Sequence, residues 1–210
     1  MIKAVLFDLD GTLINSEEYY MKGMVFLANS LGANVDTNVF FNCIGKDMDE
    51  TYALFESVVR RPKNEWLDIY NDYFISVNPL NFKSLLFDDV INVFSKLKER
   101  NIKIIICSMS PSDYVNSFIN ECNLSNYIDG YISGDMCKNN KPNPEIYLKA
   151  LSIFNLNKDE TIVVEDAKTG IEAANNAGLK VIARDASRFN IDQSGALYIF
   201  KDLAELFKII

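Results

Sequence analysis

Two acidic residues separated by one apolar position, Asp8 and Asp10, close a short apolar run, Ala4-Val5-Leu6-Phe7. Carboxylates this close repel one another, and a cation between them or a proton on one of them relieves the repulsion. Either state is chemically useful. A carboxylate can act as a covalent nucleophile, and a carboxyl poised near the working pH can pass a proton. Three other places carry related groups: Ser108 after Ile104-Ile105-Ile106-Cys107, Lys141 before Pro142-Asn143-Pro144, and Glu165-Asp166 after Ile162-Val163-Val164. Carboxylates together with a bound phosphate are the hard oxygen donors that Mg²⁺ prefers. A hydroxyl beside a helix start can cradle a phosphoryl oxygen.

Taken singly, each group has an ordinary structural reading: Ser108 as a turn residue, Lys141 as a solvated loop charge, Glu165-Asp166 as the cap of a following helix. What gives them weight is the elements that carry them. The apolar runs before Asp8, Ser108 and Glu165 read as strands buried on both faces, as in a parallel sheet. Gly11 then lets the chain turn sharply away from the first strand. Further short strands are expected at 130–133, 180–183 and 197–200, and helices at 88–100, from Ser110 (N-cap, with Pro111 at the first position), from Asn143 (cap) to about Phe154, at 171–177 and at 203–208. Strand–helix alternation of this kind predicts a doubly wound parallel α/β sheet, with right-handed crossovers. In such sheets ligands lie at the carboxyl edge of the strands, where all four signals fall.

Between the first two strands the pattern changes. Ser16-Glu17-Glu18 opens a helix that Gly32 stops, and further helices are expected at 37–43, 47–60 and 63–77, with no β-type alternation up to about residue 80. The expected organisation is therefore an α/β core of residues 1–14 and 82–210, with an α-helical cap domain of residues 15–81 inserted after the first strand. Such an insert would lie above the carboxyl edge and act as a lid.

Composition narrows the chemistry further. The chain of 210 residues carries a formal net charge of −8, which disfavours a nucleic-acid backbone as ligand. It contains no histidine, which removes Ser-His-Asp and Cys-His catalysis and histidine-ligated zinc. Its four cysteines (43, 107, 122 and 137) show no metal-site spacing. No apolar run approaches a membrane span, and no charged leader precedes the first strand, so a cytoplasmic location without membrane or nucleic-acid partners is expected.

The stretches Phe7-Asp8-Leu9-Asp10-Gly11-Thr12, Ser108, Lys141-Pro142-Asn143-Pro144 and Val164-Glu165-Asp166-Ala167-Lys168-Thr169-Gly170-Ile171 resemble the motifs of the haloacid dehalogenase superfamily. The resemblance spans essentially the whole chain and is nearest to the β-phosphoglucomutase-like phosphatases, with a Rossmann-like core and a helical cap. It implies that Asp8 is the nucleophile forming an aspartyl-phosphate. Asp10 would protonate the leaving oxygen and later deprotonate the attacking water. Mg²⁺ would be held by Asp8, the backbone carbonyl of Asp10 and Asp166, with Glu165 as a ligand or its supporting partner. Ser108 and Lys141 would bind the transferring phosphoryl group.

The sequence also departs from the family pattern. Metal-free dehalogenases lack the second acid of the first motif, so Asp10 disfavours carbon–halogen cleavage. Tyr20 stands where β-phosphoglucomutases carry a cap histidine, and Met48 lies near their cap arginine. Met109, after Ser108, is bulkier than the small or amide residue often found there. Gly45-Lys46-Asp47 resembles the substrate-specificity loop, with Lys46 able to reach a distal anion or to stand simply as an exposed charge; Tyr20 could line the pocket or belong to the cap core. The function expected is a Mg²⁺-dependent phosphatase acting, as a monomer, on a small phosphorylated metabolite such as a sugar phosphate. The rivals are a β-phosphoglucomutase-type phosphomutase and a catalytically degenerate phospho-ligand binder.

Overall fold

The computed structural model describes residues 1–44 and 48–210. In chain order the regular elements are β1 (Ala4–Phe7), α1 (Ser16–Ser30), α2 (Met48–Val59), α3 (Leu67–Asp72), α4 (Phe82–Leu85), α5 (Val90–Glu99), β2 (Lys103–Cys107), α6 (Ser112–Glu121), β3 (Gly130–Ile132), α7 (Glu145–Ile153), β4 (Thr161–Glu165), α8 (Lys168–Asn176), β5 (Lys180–Arg184) and β6 (Ile199–Phe200). The chain divides into two compact units, Met1–Asn15 with Phe82–Ile210, and Ser16–Asn81.

The first unit is a six-stranded sheet in the order β3-β2-β1-β4-β5-β6, with every described pairing parallel. β1 is central and fully buried, as its unbroken apolar run requires of a strand covered on both faces. Successive strands proceed outward from β1 on one side as β2 and β3, and on the other as β4, β5 and β6. The strand order therefore reverses at β1, the switch point where open α/β sheets leave a crevice. Residues 13–15 and 85–87 run side by side, with Asn15 N–H donating to Leu85 O (2.8 Å) and Phe87 N–H to Leu13 O (3.0 Å). The chain thus leaves the sheet unit and re-enters it at adjacent points, which is what lets a segment of 66 residues, Ser16–Asn81, interrupt the fold without separating β1 from β2.

Ser16–Asn81 packs around rings. Phe55 meets Trp66 at 4.8 Å and Tyr70 at 5.3 Å between ring centroids, and Trp66 is fully buried with its indole N–H on Arg61 O. The expected continuous helix at 63–77 is broken into a 3₁₀ turn (Lys63–Glu65), α3 and a π-turn (Tyr73–Val77), and 37–43 is 3₁₀ rather than α-helical. A crowded run of aromatic and β-branched residues favours whatever backbone packs the rings over ideal helix geometry.

Other boundaries also differ from expectation. Helix α6 is capped at Pro111, with the Ser110 hydroxyl committed elsewhere. Helix α7 starts after Pro144, although Asn143 Oδ1 does accept the Glu145 N–H (3.0 Å). Helix α8 starts three residues early, at Lys168. The expected strand 197–200 shortens to β6, and the short helix α4 was not anticipated.

Arg184, at the end of β5, ties the turn after β1 to the segment before α5. Its guanidinium makes two bonds to the Asp89 carboxylate (2.9 and 3.1 Å), donates to Thr12 O (2.8 Å) and lies over the Phe87 ring. Asp89 in turn accepts the Leu203 N–H at 2.7 Å. Arg184→Met keeps the apolar stem but strands the largely buried Asp89 carboxylate. The expected loss is about 3–5 kcal/mol of unfolding free energy, read from urea denaturation.

Candidate active site

The sheet register assembles the site. Phe7 on β1 lies opposite Val164 on β4 and opposite Ile106 on β2, so the next residues, Asp8, Glu165 and Cys107, come level at the carboxyl edge. The Asp8 N–H continues the ladder to Val164 O at 2.9 Å. Glu165 and Asp8 are almost completely buried, and Asp166 follows immediately.

Lys141 reaches this edge from the loop before α7. Its ammonium donates to Asp8 Oδ1 (2.6 Å), Glu165 Oε1 (2.5 Å) and the Cys107 carbonyl (3.1 Å). The Lys141–Pro142 peptide bond is cis. Glu145 ties the same loop to the first turn of α7: its carboxylate accepts the backbone N–H groups of Lys138 and Asn139, both at 3.0 Å, and pairs with Lys149. The Lys149 ammonium and those N–H groups hold its carboxyl down at about 2, so this anchor stays ionised at ordinary assay pH.

Asp8, Glu165 and Asp166 each present a carboxylate oxygen, and these atoms lie within 4.8 Å of one another. One ammonium faces three acids. Burial, followed by the Glu165 charge, pushes the Asp8 carboxyl well above the usual carboxylate range despite the opposing pull of Lys141. Burial acts against a charged Lys141 too, but Asp8 and Glu165 outweigh it and keep the ammonium protonated. Such a cluster lacks positive charge, and its donors are all hard oxygens. A small divalent cation supplies what is missing. The donor set therefore fits a divalent metal ion, with Asp8, Glu165 and Asp166 as its carboxylate ligands.

The acids are aimed by their surroundings. Tyr147 on α7, fully buried, donates its hydroxyl to Glu165 Oε1 (2.6 Å), while the Asp166 N–H donates to Glu165 Oε2 (3.1 Å). Thr12 Oγ1 donates to Asp166 Oδ1 at 3.2 Å. Gln193 is buried in the turn before β6. Its amide N–H donates to Asp166 O (2.6 Å) and Arg184 O (2.7 Å), and its oxygen accepts the Ala186 N–H (3.1 Å). Two glycines leave room for this arrangement. Gly11 has φ +77°, and a Cβ there would overlap the Asp166 carboxylate; a Cβ on Gly170 would overlap that of Glu165.

Asp10 stands apart from the three-acid cluster. Its oxygens are held from the segment after β2, Oδ2 by Ser110 Oγ and Oδ1 by the Tyr114 hydroxyl, both at 2.8 Å. Ser108 is buried beside Cys107, and its oxygen accepts the Ser110 N–H (3.0 Å). Accepting that bond leaves the serine proton to donate. Asp135, after β3, accepts at the start of α6 from Ser112 Oγ (2.8 Å) and the Ser112 N–H (3.3 Å), and also from Ser133 Oγ (2.5 Å).

A protein-family model described as haloacid dehalogenase-like hydrolase matches residues 5–184. The chain belongs to this family. Among its relatives is a protein of Thermotoga maritima named phosphorylated carbohydrates phosphatase, 29% identical over 196 residues, the match covering 86% of this chain and 84% of the relative. A β-phosphoglucomutase from Clostridium difficile has a similar structure, at 25% identity and a TM-score of 0.75, covering 98% of this chain and 93% of that one. The fold is also shared with a predicted phosphoglycolate phosphatase of Haemophilus somnus, at a TM-score of 0.83 and 21% identity, over 99% of this chain and 97% of that one.

Of the residues singled out in the sequence, this family member brings Asp8, Lys141, Glu165 and Asp166 into direct or near contact, with Ser108 on the adjoining strand end and Asp10 on the turn below. Met109 packs against the apolar core, which accounts for its bulk. Tyr20 packs edge-on to Tyr19 and tilted against Phe74 inside the Ser16–Asn81 unit. Gly45 and Lys46 lie outside the described residues. Tyr114, Tyr147 and Gln193 stand outside the sequence motifs, and Thr12 and Ser110 enter them only within the first motif and as a helix cap. Of the first three, only Tyr147 carried a local signal, as an aromatic with a polar tip on the buried stripe of its helix.

Gly170→Ala tests the packing of the acids. In an open helix position the change would stabilise by about 1 kcal/mol. Here the added methyl must displace Glu165, so a net loss of about 1–3 kcal/mol is expected in denaturant melts, with a smaller thermal shift on adding Mg²⁺.

Proposed function

We propose that the protein is a Mg²⁺-dependent phosphatase that hydrolyses a small phosphorylated metabolite of the sugar-phosphate class through an aspartyl-phosphate on Asp8. The observation that carries the reading is the shared Lys141 ammonium between Asp8 and Glu165, with Asp166 beside them. Relatives named as phosphatases support the reaction class, and the name of the Thermotoga protein supports a carbohydrate substrate.

The roles follow from position. Asp8 is fixed at the end of a rigid central strand, so its free oxygen can be held in line with a phosphorus atom. Lys141 faces the transferring group from the side, where charge spreads over the equatorial phosphoryl oxygens. The Ser108 hydroxyl binds another of those oxygens. Asp10 gives a proton to the leaving oxygen and then takes one from the attacking water. The bound cation, when present, neutralises the phosphate charge that would otherwise repel Asp8. Its identity as Mg²⁺ is supported by an all-oxygen donor set. A cytoplasmic setting is part of the reading, supported by four free thiols; no helix among the described residues is long and apolar enough to cross a membrane.

Phosphate release from a panel of phosphorylated metabolites, with and without EDTA, tests the proposal. Activity should appear with Mg²⁺, vanish with the chelator and return when the metal is restored. No release from any ester would sink the reading, and interconversion of hexose phosphates without net release would replace it with a mutase. Asp8→Asn should abolish turnover, while Asp10→Asn should lower kcat by roughly 10²–10⁴. Mg²⁺ should raise the melting temperature of the wild type, as any ligand selective for the folded state does. Asp166→Asn should remove most of that shift in the same thermal scan.

A further inference from the structure

The hydroxyls of Ser110 and Tyr114 meet the acid–base carboxyl of Asp10 on both oxygens, and the phosphatase reading assigns them no task. From this geometry we infer that Ser110 and Tyr114 are positioning residues for Asp10, and that they decide how well the site turns over esters whose leaving group needs a proton. The inference rests on the phosphatase reading above.

The two donors come from one short segment, and each is itself held. Ser110 is fixed at both ends of its peptide: its N–H donates to Ser108 Oγ (3.0 Å) and its carbonyl accepts the Gly134 N–H (3.0 Å). Gly134 permits that approach, since a Cβ there would run into the Met109 carbonyl. Tyr114 lies in the first turn of α6, its ring edge-on to Phe82 at 4.9 Å, and Phe82 packs in turn on the buried Phe118. Terminal torsions of aspartate are broad. One hydrogen bond would leave the Asp10 carboxyl free to rotate about it, whereas two, one per oxygen, fix its plane.

That matters because proton transfer demands heavy-atom separations of about 2.6–3.2 Å, and a misplacement of about 1 Å costs on the order of 10²-fold. In the first half-reaction an Asp8 oxygen bonds to phosphorus while the bond to the leaving oxygen breaks. The electron pair goes to that oxygen, which takes the proton from Asp10. In the second half water bonds to phosphorus and gives its proton to Asp10, and the electron pair of the broken acyl-phosphate bond returns to Asp8. An alkoxide is too basic to leave unprotonated, so an alkyl or sugar phosphate needs Asp10 in both halves. A 4-nitrophenolate departs as a stable anion, so 4-nitrophenyl phosphate needs Asp10 only in the second.

The parameter kcat/KM reports the steps up to the first irreversible one, here phosphoryl transfer to Asp8. With Tyr114→Phe, which keeps the ring against Phe82, kcat/KM for glycerol 2-phosphate or glucose 6-phosphate, whichever the wild type turns over, should fall about tenfold or more. The value for 4-nitrophenyl phosphate should stay within about twofold, with a burst of nitrophenolate marking the slowed second half. Ser110→Ala should behave alike, and Ser110→Thr, which keeps the hydroxyl, should restore the wild-type ratio. Equal losses on both esters, or no loss on either, would overturn the inference while leaving the phosphatase reading standing. A wild type that hydrolyses neither these esters nor any other in the metabolite panel overturns both.

Discussion

Three buried carboxylates gathered at one sheet edge, two of them paired with the same lysine, are the constraint around which the sheet unit is organised. Asp8, Glu165 and Asp166 would repel one another in a medium that solvates them poorly, and Lys141 offsets only part of that repulsion. A fold seeking stability alone would fill this edge with apolar side chains. Here the charge imbalance is kept, and it is the physical property that a divalent cation would satisfy. Below this edge β1 and β4 stay in parallel register, with their apolar residues buried.

Holding like charges together requires restraints from outside the cluster, and these arrive from distant parts of the chain. Tyr147 and the backbone of Asp166 divide the oxygens of Glu165 between them. Thr12 steadies one oxygen of Asp166, and Gln193 fastens its carbonyl to the end of β5. Arg184 links Thr12 to Asp89 and so to the C-terminal segment. Each is a bond to a group whose burial would otherwise be costly. The site is thus supported by a shell of fully committed polar groups, with a direct route from the outer strands to the acids.

Asp10 obeys a different logic. It sits two residues beyond Asp8, yet its partners are hydroxyls rather than a cation. On the proposed phosphatase reading, the separation suits two tasks that must not interfere: one carboxylate would keep its electrons for phosphorus while the other exchanged a proton. Gly11, with its positive φ, turns the chain between Asp10 and the Thr12 that supports Asp166. Neighbouring residues can thereby serve separate halves of the site.

The apolar runs ending at Phe7, Cys107 and Val164 fixed strands, and the groups just past them fixed which edge carries chemistry, because burial on both faces leaves a strand only its ends for polar side chains. Asp8, Glu165 and Asp166 were legible for that reason, as was the α/β class of the core, whereas Lys141 stands in the loop before α7 and was legible through its flanking prolines. The helical character of 16–81 was legible too, but not the 3₁₀ and π backbone at 37–43 and 73–77, which ring packing selects over local propensity. Ser110 reads in sequence as a helix cap, and in the fold its hydroxyl belongs to Asp10 across 100 residues. Tyr114 and Gln193 carry no local sign of their partners. Periodicity is a property of neighbours along the chain, whereas which donor meets which acid depends on sheet register and on where each crossover ends. Those are settled only when the whole sheet has closed.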